Sequence, residues 1–147
     1  MRMTIRDAVT QVQQDILRNL NAYISSTQRE GEDWFTPLSF HDDAPRVETD
    51  RYYMGIYESS PEGEIYTSNG RQTTVDVTLD CILDDERDNS SHPSCYLSAV
   101  TEYLRRKTYG VSSLAYTAIT MRTDLGAPVN GFAVALRVTT YDYDMDI

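Results

Sequence analysis

Two cysteines, two histidines and one tryptophan are all that 147 residues contain of those types. In a reducing compartment Cys81 and Cys95 read as two free thiols that behave as small hydrophobes, with a disulfide between them the alternative. With only His41 and His92, histidine-based acid–base chemistry has few candidates. The chain has no G-x-S-x-G elbow and no glycine-rich loop to cradle phosphate. No apolar run approaches the ~20 residues that span a bilayer. The opening Met1-Arg2-Met3-Thr4-Ile5-Arg6-Asp7 lacks the apolar stretch of a signal peptide, so synthesis and use in a cytoplasm are expected. Basic residues are scarce as well: 13 Lys and Arg face 23 Asp and Glu, a net charge of −10. A nucleic-acid binder needs a basic face to release counterions from phosphates. The basic cluster here, Arg105-Arg106-Lys107, falls where the last turn of a helix belongs, and cations there favour the helix dipole. An acidic chain can still let nucleic acid slide past it, because like charge prevents sticking.

What is present describes one domain over residues 1–147. Hydrophobic residues are 40 % of the chain and spread along it, enough for a core without staples. Ile5, Val9, Val12, Ile16, Leu20 and Ile24 recur every three or four residues and predict an amphipathic helix from Ile5 to Ser25. Thr4 is its expected N-cap, with Asp7 completing a shortened capping box. From Ser26 to Asp50, charges with Gly31, Pro37 and Pro45 break the period and predict a long connection. Within it Trp34, Phe35 and Leu38 have two readings: they pin the loop onto the core, or they anchor a partner subunit.

Short strands are predicted at Tyr52–Tyr57 and Glu64–Thr67, separated by a turn at Ser59-Ser60-Pro61-Glu62-Gly63. Ser68-Asn69-Gly70 carries a hairpin signal. Val75, Val77, Leu79, Cys81 and Leu83 then alternate with Thr74, Asp76, Thr78, Asp80 and Ile82, a period-two strand with one apolar face. The run Asp84-Asp85-Glu86-Arg87-Asp88-Asn89-Ser90-Ser91 reads as a solvated loop. A second helix follows from Pro93, capped by Ser91 or His92, with Tyr96, Leu97, Val100 and Leu104 as its buried stripe and Gly110 as its stop. Strands at Leu114–Arg122 and Phe132–Tyr143 end the chain, joined by a turn over Thr123–Asn130. The expected fold class is α+β, a mainly antiparallel sheet with two helices packed on one face.

Candidate metal sites fail on ligand count. His92 and Cys95 have a zinc-like spacing that Cys81 could join, but a structural zinc site needs four ligands. His41-Asp42-Asp43 and the acidic run from Asp84 lack the alternating ligands, glycine and distal glutamate of a calcium loop. No metal, cofactor or catalytic residue is therefore assigned, although plentiful carboxylates leave a paired-carboxylate enzyme open. Tyrosine stands out, with 11 Tyr against three Phe. The phenol suits partly exposed interfaces, or else the outer face of a sheet.

The element order, size and acidic charge together resemble the tail-terminator (tail-completion) proteins of long-tailed bacteriophages. The resemblance spans the helix Ile5–Ser25, the long loop, the strand Thr74–Leu83, the helix Pro93–Thr108 and the paired strands Leu114–Arg122 and Phe132–Tyr143. It rests on architecture, with no short motif. It implies a structural protein of the virion tail or neck, assembled in the host cytoplasm, with neither enzyme activity nor cofactor. It also implies a homo-oligomeric ring of six between the tail tube and the head-connector or stopper proteins, with DNA passing through the lumen and no membrane contact. On that reading Asp84, Asp85, Glu86 and Asp88, or the tail Asp142, Asp144 and Asp146, line the lumen. Trp34, Phe35 and Leu38 are the candidate partner contacts. Another connector or stopper protein and a monomeric α+β binding module are the alternatives.

Overall fold

The computed structural model describes residues 4–67, 70–85, 92–106, 113–121 and 129–143. Among them are two helices and five strands: α1 (Ile5–Ser26), β1 (Ser39–His41), β2 (Tyr53–Thr67), β3 (Gly70–Asp85), α2 (His92–Arg105), β4 (Ser113–Met121) and β5 (Val129–Tyr143). The strands form one sheet in the order β1-β2-β3-β5-β4, antiparallel except for the short parallel pair of β1 with β2. The chain is an α+β protein with both helices packed against the sheet.

The local causes are those the sequence carries. The Thr4 hydroxyl accepts the Asp7 N–H and the Asp7 carboxylate accepts the Thr4 N–H, a reciprocal cap that satisfies two orphan donors of α1. Val9, Val12, Ile16, Leu20 and Ile24 then point inward on one stripe. They meet Val75, Val77, Leu79, Cys81 and Leu83 of β3, Phe132, Val134, Leu136 and Val138 of β5, and Tyr96, Val100 and Leu104 of α2 in one core. Leu79 is fully buried, opposite Ile56 and Val134. Replacing it with Ala should therefore cost about 2–5 kcal/mol in chemical denaturation. A loss below about 0.5 kcal/mol would place the side chain on the surface.

The structure corrects two segments. Ser59 to Gly63 is no turn: it lies within β2, where five steps from Glu58 to Gly63 match three from Val77 to Thr74. The two surplus residues are bulges. Because β1 covers β2 only from Tyr53 to Gly55, this stretch is an edge, where Pro61 breaks no ladder. Thr67 pairs with Gly70 where the hairpin signal placed the reversal, and residues 68 and 69 lie outside the described ones. The second correction is at Asp84 and Asp85, which belong to β3 and not to a solvated loop. Ser91 and Gly110, the expected boundaries of α2, also fall outside the described residues.

Candidate functional site

The connection from 27 to 52 is held by side chains acting as stand-ins for a neighbouring strand. The Asn21 amide donates to the Leu38 carbonyl at 3.0 Å and accepts the Leu38 N–H at 2.9 Å. The Tyr96 hydroxyl donates to the Thr36 carbonyl at 2.6 Å and accepts the Thr36 N–H at 2.7 Å. Gln28 accepts the Phe35 N–H at 2.9 Å. Five side-chain hydrogen bonds, at Phe35, Thr36 and Leu38, thus fix residues 35–38. Leu38 is buried in the core, and Trp34 and Phe35 pack half-buried around the Tyr96 ring, at centroid distances of 5.3 and 6.1 Å. For Leu38 the pinning reading holds, and the expected partner contact is corrected: the side chain is enclosed by its own chain.

Trp34 does more than pin. With Thr27, Arg29 and Glu32 it forms one wall of a groove of about 370 Å³, whose other wall is the Ser94, Cys95, Ser98, Ala99 and Glu102 face of α2. The Glu32 carboxylate accepts the Arg29 N–H at 2.7 Å and the Trp34 Nε1–H at 3.3 Å. The small residues at 94, 95, 98 and 99 repeat at helical spacing, a signal visible in the sequence that went unread.

The sheet has a second face, opposite the helices. Tyr53, Gly55 and Tyr57 lie across from Ile82, Asp80 and Thr78, which lie across from Gly131, Ala133 and Ala135. The segment after β1 crosses this face at Gly55, where an added Cβ would lie 2.1 Å from the Asp43 carbonyl oxygen. It covers Ile82 and Tyr53, both buried. Tyr52 turns the chain into β2 at φ 51°, a left-handed value rare for a tyrosine. Its N–H reaches the Leu83 carbonyl at 2.9 Å and its carbonyl takes the Ser39 N–H at 2.7 Å, which holds the strained residue in place.

The lumen candidates separate here. Asp84 is only 6 % exposed, and its carboxylate accepts the Tyr52 hydroxyl at 3.3 Å and the Asn130 amide at 3.2 Å. It is a buried structural acceptor, and a lumen-facing role is withdrawn. Asp85 closes β3 opposite Val129, and Asp142 of β5 stands opposite position 71 in the strand register. Glu86, Asp88, Asp144 and Asp146 lie outside the described residues.

The sequence reading missed a set of tyrosine–aspartate hydrogen bonds. Tyr57 donates to Asp80 at 2.9 Å, Tyr103 to Asp15 at 2.6 Å, Tyr52 to Asp84 and Tyr53 to Asp43. Much of the tyrosine excess therefore serves as internal cross-links. Burial pushes the phenols of Tyr53, Tyr96 and Tyr103 well above the ordinary range. The carboxylates of Asp43 and Asp15 push Tyr53 and Tyr103 further, while the Thr36 bond partly offsets the rise at Tyr96. Burial likewise raises the Cys81 thiol, with the charge of Asp80 adding to it.

Ser39 Oγ lies 2.9 Å from His41 Nε2, and the His41 ring stacks on Tyr53 at 4.1 Å. Both residues are exposed next-but-one neighbours on an edge strand. Cys81 and Cys95 are free thiols, one in the core and one in the groove. Among the described residues no three His, Cys, Asp or Glu side chains gather to hold a metal, and no helix is long and apolar enough to cross a membrane. Chelator is expected to leave the melting temperature unchanged; a drop of several degrees in a thermal scan would reveal a structural metal. Compared with known proteins, the chain matches no family model and no curated sequence.

Proposed function

We propose that this chain is a structural subunit of a phage tail or neck, assembling as a six-membered tail-terminator ring between the tail tube and the head connector of the virion. The observation that supports the reading is the two-sidedness of its sheet. Both helices and the core occupy one face, while on the other Gly55, Thr78, Asp80, Gly131, Ala133 and Ala135 lie among Tyr53, Tyr57 and Ile82. On that face Arg137 is paired with Asp76 at 3.2 Å, and Asp80 is tied to Tyr57. A chain of net charge −10 disfavours lasting contact with the phosphates of passing DNA. The role is structural and not catalytic.

Light scattering on the eluting protein should give six times the 16.8 kDa chain mass. Within the ring, Asp85, Glu86 and Asp88, or else the tail Asp142, Asp144 and Asp146, are the lumen candidates. Changing them to Asn or Gln should leave the ring intact, raise DNA retention in the channel, and do so less at high salt. Retention unchanged by the substitutions would sink the lumen assignment. A second reading, a monomeric α+β binding module, is favoured by the groove beside Trp34. A monomer mass at high concentration selects it over the ring.

A further inference from the structure

We draw no further inference here: the strongest candidate, the surface groove between residues 27–34 and the Ser94, Cys95, Ser98, Ala99 and Glu102 face of α2, carries nothing, because its charges balance, Arg29 and Arg106 against Glu32 and Glu102, and nothing in the structure shows what covers it.

Discussion

Stability should collapse as the pH rises past about 10, where the phenols of an unfolded chain ionise. Tyr53, Tyr96 and Tyr103 are buried, and each holds its proton to a higher pH in the folded protein than in the unfolded one. A raised folded value means that the stabilisation is fully present below the unfolded value. It is lost as the pH climbs toward the folded one, because only the unfolded state then releases protons. Each such tyrosine adds to the steepness of the loss. Urea midpoints measured between pH 7 and 12 should begin to fall near pH 8.5, where the unfolded Cys81 thiol ionises while burial holds its proton in the folded chain, and fall more steeply above about 10. Tyr103→Phe, which removes one titrating group, should make the fall shallower. A flat profile to pH 12 would show these phenols to be solvent-accessible.

Gly55→Ala should be strongly destabilising. The new Cβ would meet the Asp43 carbonyl oxygen at 2.1 Å and its carbon at 3.0 Å, both backbone atoms of the crossing segment. Either β2 shifts, disturbing the pairs Gly55–Asp80 and His41–Gly55, or the segment lifts off and uncovers Ile82 and Tyr53. Overpacking of this kind costs about 3 kcal/mol or more, lowering the melting temperature by roughly 10 °C. Gly31→Ala has open space around it, and its strain comes from φ 84° alone, so its cost should be smaller. Equal melting temperatures for the two variants would mean that the segment does not lie against β2.

The parts of this fold that could be read from sequence are those governed by a period. The Thr4 cap, the Val9–Ile24 stripe and the alternation from Val75 to Leu83 each state their own geometry within a few residues. β1 could not be read, because three residues make no pattern and their pairing depends on the turn at Tyr52. Ser59-Ser60-Pro61-Glu62-Gly63 misled because turn residues are also what an edge strand accepts at bulges. The tyrosine–aspartate bonds join residues 10, 23, 32 and 88 positions apart, and nothing local announces a partner at such distances. For the same reason Asp84, one acid in an acidic run, looked solvated. Of the candidate site, Trp34 and Phe35 were visible as aromatics in a polar loop, but the groove they share with α2 exists only once Tyr96 has fastened that loop.

The bulged edge of β2 bears on how the chain avoids adding to copies of itself. A bare strand edge is a template on which any copy emerging from a ribosome can add itself, and repeated addition gives fibres. Here the free part of that edge is broken by a residue with no N–H to offer and by two positions out of step with the ladder. A newly made copy therefore finds no continuous row of donors and acceptors to copy. Addition of a second copy along this stretch of β2 is thereby disfavoured.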